Sequence, residues 1–428
     1  MKEIKKIASG AFARNLRLAK LAYGSGVKLW SASKEEGLKS ILDSVVGGQA
    51  HKLVNELGLM KGSVMKVGQM LSLYSEAFLS KELQAVLRQL ENQSFYLSWE
   101  EIQKNLPSEF LEKLDFESKP IAAASLGQVH KAKIKATGEV VAVKIQYRGV
   151  RKAIDSDINT LRLFLNILDL LPKDQDFSNI FEEVKMMLLQ ETDYLHEAKY
   201  QKAFRNKVEQ VSENIYVPRV YDEFTNEQVF TSEFIDGINP RDWVDTSPSQ
   251  ELVDQLGKDY FEIFFKEIFS WSMVQSDPHP GNYLIQKLPD GKTRWVLLDF
   301  GATKEVSEKL QDTYKAFIKS AIYQDRDLFV QTLESAGFVQ SISEDTYPLL
   351  WDYLACLGEP FQSGQYDWKT SDSADRILKI LPKMIRKLSS KKPPGETVFI
   401  DRKIGGLYFM LKLIGANFDP TAISKKYC

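Results

Sequence analysis

Two short segments constrain this 428-residue chain more than any other feature. Gln275-Ser276-Asp277-Pro278-His279-Pro280-Gly281-Asn282 sets a carboxylate and an amide five positions apart. Leu297-Leu298-Asp299-Phe300-Gly301 sets a second carboxylate in an Asp-Phe-Gly turn. Between them lies a hairpin pattern: Tyr283-Leu284-Ile285, a Pro289-Asp290-Gly291 turn, then Trp295-Val296-Leu297-Leu298. A hairpin of that length returns Asp299 to the side of Asn282. Two oxygen ligands then converge where a hard cation such as Mg2+ can be held, with the Asp277 carboxylate close by.

The Asp277-to-Asn282 spacing is that of the kinase catalytic loop, where Asp meets the acceptor hydroxyl and Asn binds metal. Asp299 takes the place of the second metal ligand. Upstream, Val141-Ala142-Val143-Lys144 matches the strand whose lysine reaches the α/β-phosphates of ATP. Each piece alone is weak: Asp-Phe-Gly also describes an ordinary turn, and many edge strands end in lysine. All three in kinase order predict an α+β, two-lobed protein-kinase-like fold that uses ATP and Mg2+.

The rest of the chain can be fitted to that plan. Residues 1–110 read as a helical extension, 111–240 as the strand-rich lobe and 241–428 as the helical lobe with the catalytic loop. Val129–Ile134 and Val140–Gln146 alternate about an Ala136-Thr137-Gly138 turn. Helices are expected over 151–171 and about 178–209. Val217–Val220 and Gln228–Ser232 read as strands, leading into a Glu233-Phe234-Ile235-Asp236-Gly237 hinge. Adenine would be held there by backbone groups of Glu233 to Ile235, at the lobe junction. From about 248 the pattern is helical, with Lys391-Lys392-Pro393-Pro394-Gly395 as the clearest loop.

At 43% hydrophobic the chain can bury a full core, and 56 basic against 58 acidic residues exert no bulk pull on nucleic acid. Cys356 and Cys428 are far apart and four scattered histidines make no zinc motif, so a reducing compartment is expected. No apolar run reaches the ~18 residues of a spanning helix, and no secretory signal is read at the N-terminus. That terminus is basic: Lys2, Lys5, Lys6, Arg14, Arg17 and Lys20 against Glu3 give +5. It reads as an amphipathic helix on an anionic membrane or an Arg-rich transit peptide and, as readily as these two together, as a solvated helix packed by one face. The expected setting is cytoplasmic or peripheral on the inner face of a membrane, with an organelle matrix as the other option.

Three features depart from ordinary protein kinases. Ala122-Ala123-Ala124-Ser125-Leu126-Gly127-Gln128 stands where a glycine-rich phosphate loop belongs. Alanines do not take the positive φ by which glycines close over phosphates; a tightly packed strand-turn is the plainer reading. Lys66-Val67-Gly68-Gln69 places Lys66 and Gln69 on one face of a helix, with a glycine that admits something close. Glu191-Thr192-Asp193 and Glu197 fall on what reads as one long helix, with Asp193 and Glu197 on a shared face. One of these carboxylates is expected to pair with Lys144.

Together these motifs resemble the UbiB/AarF-domain family of atypical kinase-like proteins. The matches are K-x-G-Q at 66–69, A-A-A-S-x-G-Q-V-H at 122–130, V-A-V-K at 141–144, E-x-D at 191–193, D-P-H-P-G-N at 277–282 and D-F-G at 299–301. Arg402-Lys403-Ile404-Gly405-Gly406 and Leu413-Ile414-Gly415-Ala416-Asn417-Phe418 look like the family's ending, and Tyr427-Cys428 like its coenzyme Q branch. The resemblance implies an N-terminal helical extension over the active site. It implies that Lys66, with Gln69, regulates the site by meeting Glu191 and Asp193, and that Ala122, Ala123, Ala124 and Ser125 lie at the nucleotide. It implies that Glu197 pairs with Lys144, that Asn282 and Asp299 hold Mg2+, and that the role lies in ubiquinone biosynthesis or membrane lipid homeostasis. The residues after Gly301 agree: a helix over Val306–Ile322 leaves no room for a long activation segment, hence no platform for a peptide. A lipid or small-molecule kinase, or an ATPase, fits. The alternative is a nucleotide-gated lipid-binding or chaperone-like protein with little turnover.

Overall fold

The structure, a computed structural model, describes residues 2–4, 95–123, 126–167, 178–210, 213–339, 342–362, 364–388 and 397–428. The K-x-G-Q residues Lys66 and Gln69, Ala124 and Ser125, the rest of the basic N-terminal segment and the 391–395 loop lie outside the described residues. The chain divides into two compact units, Met1–Ala198 with Val220–Phe234, and Lys199–Arg219 with Ile235–Cys428.

The first unit is built on the alternating segments. Strands β1 (Lys2–Ile4), β2 (Phe95–Leu97), β3 (Leu114–Phe116), β4 (Ala122–Ala123), β5 (Gly127–Ile134), β6 (Val140–Gln146) and β7 (Val229–Glu233) are its sheet elements. One sheet runs β3-β5-β6-β7 with β4 paired to β5, antiparallel throughout. Alternation sends Ala132 and Ile134 of β5, and Val141, Val143 and Ile145 of β6, to one face, where they pack with Ile102, Phe110, Leu114 and Phe224. Each large side chain buried so contributes roughly 1.5–3 kcal/mol. Helices α1 (Val150–Ile167), α2 (Ser178–Glu191) and the start of α3 (Tyr194–Glu209) complete the unit.

Two expectations are corrected here. Residues 1–110 are not uniformly helical: β1 and β2 pair in parallel, Lys2 opposite Phe95 and Ile4 opposite Leu97. Phe-Tyr-Leu suits a pleated surface, and the backbone N–H and C=O of Leu97 are both taken by the Gln128 side-chain amide, which stands in for a strand. Nor is 178–209 one helix. Thr192 turns its hydroxyl back to the Leu189 carbonyl, and the Asp193 carboxylate accepts from the His196 N–H as an N-cap. The chain therefore breaks at Thr192–Asp193. Asp193 stands as the cap of α3, its carbonyl accepting from the Glu197 N–H one turn on and its carboxylate turned to the His196 N–H, and not as a residue within one continuous helix.

The second unit is organised around α4 (Gln250–Phe269), whose buried Leu256, Tyr260, Phe261, Phe264 and Ile268 enter one large core. Ser249 caps it by accepting from the Leu252 N–H. Strands β8 (Met273–Gln275) and β11 (Thr303–Glu305) pair antiparallel, and β9 (Tyr283–Lys287) with β10 (Thr293–Leu297) form the expected hairpin. The strand read at Val217–Val220 lies earlier, at Ile215–Tyr216, pairing in parallel with β10. Pro218 has no N–H to give a ladder, and its carbonyl accepts from the Gln201 side chain instead. Helices α5 (Glu308–Tyr323) and α6 (Val398–Ile414) flank the core. The helical run after 248 is also interrupted by a small pairing of Tyr366–Asp367 with Asn417–Phe418. Among the described residues, no helix is long and apolar enough to cross a membrane.

Candidate functional site

In the first unit, Lys144 lies near the end of β6 and its ammonium meets both oxygens of Glu197, at 3.0 and 2.9 Å. The pair is largely sheltered, with the lysine side chain 18% and the glutamate 3% exposed. Glu197 thus holds Lys144. It reaches the lysine because α3 starts afresh at Tyr194. The Tyr194 ring sits 5.2 Å from the Lys144 Nζ and adds a cation–π contact. The break at Thr192 is tied to the same strand, since Gln146 donates to the Thr192 carbonyl at 3.0 Å.

Ala122 and Ala123 form β4, opposite Val129 and Gln128, and the Leu126 carbonyl accepts from the Tyr147 N–H. The two described alanines of the segment are therefore paired antiparallel on β5. Gly127 is required there: a Cβ would lie 2.5 Å from the Ile145 carbonyl oxygen and 3.0 Å from the Tyr194 hydroxyl. Glu233 closes β7 opposite Val141, and the Phe234 N–H continues that ladder to the Val140 carbonyl. Ile235 is buried and belongs to the second unit.

Gln128 and His130 carry a role the sequence did not disclose. Gln128 donates to the His130 Nε2 at 2.8 Å while holding Leu97, and the His130 Nδ1 lies 2.8 Å from the Glu117 carbonyl. That pattern requires a neutral ring with the proton on Nδ1, because Nε2 must accept. Burial lowers the His130 pKa, opposed in part by the Glu117 carbonyl. The sign follows: the native state refuses a proton that the unfolded chain accepts near pH 6.5, so the stability is full above that pH and declines below it. Urea unfolding at pH 7.5, 6.5 and 5.5 should show stability falling as the pH falls in the wild type, with a shallower slope in His130→Asn. Equal slopes would assign the acid sensitivity elsewhere.

In the second unit, β8 ends at Gln275 and the Asp277 loop follows. Asn282 donates from Nδ2 to the Asp277 carbonyl at 3.0 Å and to its carboxylate at 3.2 Å. The loop turns as a 3-10 segment over Pro280–Asn282, capped by the His279 ring, which accepts from the Gly281 N–H. The Leu298 N–H donates to the Asn282 carbonyl at 3.0 Å, so the hairpin brings Asn282 beside Asp299. Asp299 accepts from the Gly301 N–H at 2.9 Å. Its carbonyl accepts from the Gln275 side chain. Phe300 is fully buried, its ring 4.9 Å from that of Phe204 on α3. Only Thr303–Glu305 and three further residues separate this turn from α5, which Ser307 caps.

The donor set suits Mg2+. The Asn282 amide nitrogen is committed to Asp277, which presents its carbonyl oxygen as the remaining donor, and Asp299 brings a carboxylate. Mg2+ takes one or two such protein oxygens and completes its shell with water and substrate phosphates. A richer cluster is not needed, and none of three or more His, Cys, Asp or Glu occurs among the described residues.

Residues of α6 also reach this segment. Arg402 donates from Nε to the Ser276 carbonyl at 2.7 Å and brings Nη2 to 4.0 Å from the Asp277 carboxylate. Lys403, buried, pairs with buried Glu267 of α4 at 2.8 Å. Burial pushes the Glu267 carboxyl up, while Lys403 and the Gln275 N–H pull it back. On β11, burial and then the positive charge of Arg402 lower the Lys304 ammonium.

A Lys–Glu pair on a sheet, with an Asp loop and an Asp-Phe-Gly turn joined by a hairpin, defines the protein-kinase-like class. Comparisons with known proteins narrow it. The ABC1 atypical kinase-like domain matches residues 86–333. The chain is 33% identical over 380 residues to the atypical kinase coq-8, mitochondrial, of Caenorhabditis elegans, covering 86% of this chain and 49% of that protein. It is 30% identical over 423 residues to the atypical kinase COQ8B, mitochondrial, of Rattus norvegicus, covering 97% and 78%. Among solved structures it is similar to the complex of Rv3197 with erythromycin from Mycobacterium tuberculosis, with a TM-score of 0.58 and 26% identity over 92% of this chain and 98% of that one. The chain belongs to the ABC1 atypical kinase-like family. It spans about half the length of the nematode relative (49%).

Proposed function

We propose that this protein is an Mg2+-dependent, ATP-using atypical kinase or ATPase that acts on or near a lipid or small molecule in ubiquinone biosynthesis or membrane lipid homeostasis. One observation carries the reading: the β9–β10 hairpin joins Asn282 to Leu298, next to Asp299, while Asn282 also grips Asp277. Asn282 and Asp299 would hold the metal, which neutralises charge on the phosphates when bound. Asp277 orients the acceptor hydroxyl or water and takes its proton. Lys144, kept in place by Glu197, meets phosphate oxygens. Ala122, Ala123, Ala124 and Ser125 take the place of the phosphate loop, and Glu233 and Ile235 offer backbone groups to adenine.

The kinase names of the relatives support the reaction class, and the mitochondrial COQ8 names support a quinone-pathway setting and an organelle matrix. The short path from Gly301 to α5 argues against a protein acceptor. Regulation by Lys66 and Gln69 through Glu191 and Asp193 is part of the proposal, as is contact of the basic N-terminal segment with an anionic membrane.

The test uses ATP labelled on the γ-phosphate, with Mg2+, in the presence and absence of cardiolipin-containing liposomes. Label in the lipid extract identifies a lipid kinase, and free phosphate alone an ATPase. Tight MgATP binding with neither product would favour the nucleotide-gated binding protein.

A further inference from the structure

We propose that α6 is the positioning element of the catalytic loop, acting through Arg402, Lys403 and Gly406; this rests on the reading of Asp277 and Asp299 given above. Arg402 and Gly406 are i and i+4 and share a face of α6. Gly406 lies against the loop: a Cβ there would come within 2.1 Å of the Pro278 Cβ and Cγ. A Cβ on the neighbouring Gly405 would meet nothing within 4 Å. Only one glycine of the Gly-Gly pair is therefore set by close approach, and it is the one that touches the residue after Asp277.

Arg402 then fixes the residue before. Its Nε holds the Ser276 carbonyl at 2.7 Å, and its Nη2 stands 4.0 Å from the Asp277 carboxylate. With 17% of the arginine and 24% of the aspartate side chain exposed, both keep an open edge. The guanidinium is planar and permanently charged, so it fixes a backbone carbonyl and the adjacent carboxylate with one rigid group.

Lys403 reaches the other half of the chemistry through partners. Its ammonium, 1% exposed, pairs with Glu267 at 2.8 Å. The Gln275 side chain donates to the Asp299 carbonyl and accepts from the Tyr283 hydroxyl at 2.7 Å, itself 3.5 Å from the Lys403 Nζ. A buried ion pair is a poor source of stability, because desolvation offsets the attraction. Here the paired Lys403 also reaches the Tyr283 hydroxyl, which holds Gln275, and through Gln275 the backbone of Asp299. Adjacent residues of one helix thus position the base-side loop and the metal-side turn together.

The experiment is steady-state phosphate release from MgATP by the full chain. Arg402→Gln is expected to lower kcat about 10- to 100-fold, the cost of a small misplacement of a reacting group. Its KM for MgATP should stay within about threefold, as for a residue that does not bind nucleotide. Arg402→Lys, which keeps the charge, should recover part of kcat. Gly406→Ala should lower kcat in the same way, and Gly405→Ala should leave it at the wild-type value. If Arg402→Gln does not fold, Arg402→Lys and Gly406→Ala carry the test. Wild-type kcat in Arg402→Gln and Gly406→Ala, or a raised KM at unchanged kcat, would overturn the positioning role. A wild-type protein without MgATP-dependent phosphate release would overturn the functional reading itself, a different and separately visible result.

Discussion

Asp299→Asn is expected to abolish Mg2+-dependent nucleotide binding while leaving the fold in place. The carboxylate is the only anionic donor in the proposed metal pair, and Mg2+ dehydrates reluctantly for a neutral amide. Asparagine keeps the size of the side chain, and its carbonyl can still accept from the Gly301 N–H that Asp299 holds at 2.9 Å. The buried Phe300 and the Gln275 bond to the Asp299 backbone do not depend on the charge. Thermal unfolding without ligand should therefore match the wild type, and the upward shift given by MgATP should vanish. A full MgATP shift in the variant would remove Asp299 from the metal site.

Asp277→Asn should have the opposite signature, with nucleotide affinity kept and turnover lost. Orienting or general-base groups contribute typically ~10²- to 10⁴-fold, and a drop in kcat of that size is expected. The substitution also confronts the Asn282 Nδ2, which donates to the Asp277 carboxylate at 3.2 Å, with a side chain that accepts at one atom only. Wild-type phosphate release from this variant would exclude Asp277 from the chemistry and leave the loop as scaffolding.

The site was readable where its geometry is local. Alternation and a Pro-Asp-Gly turn predicted the hairpin, and its length alone returned Asp299 to Asn282. The Val-Ala-Val-Lys strand was readable for the same reason: two buried, β-branched valines alternate with a small residue, and a lysine follows them. The helix break at Thr192–Asp193 was missed, though it has a local cause. An aspartate before Tyr-Leu-His is an N-cap signal, but the i, i+4 carboxylate spacing of Asp193 and Glu197 points to a continuous helix and masks it. The true partner of Lys144 followed from the family resemblance and not from spacing.

What the sequence concealed is long-range. Gln128 holds the backbone of Leu97 across 31 positions, and no periodicity marks an amide that substitutes for a strand. Lys403 and Glu267 are 136 positions apart, and each on its own helix reads as a solvated charge. Only the folded chain puts both in the core. The Arg402-Lys403 pair was singled out as a family ending; its contact with Ser276 and Asp277 needed coordinates.

The central claim is that this chain binds ATP through a metal ion. Isothermal titration of the full protein with ATP tests it most directly, in Mg2+ and again with the metal chelated. The account predicts saturable binding with a stoichiometry near one in Mg2+, and its loss or strong weakening on chelation. No heat with MgATP, or the same affinity with and without Mg2+, would contradict it.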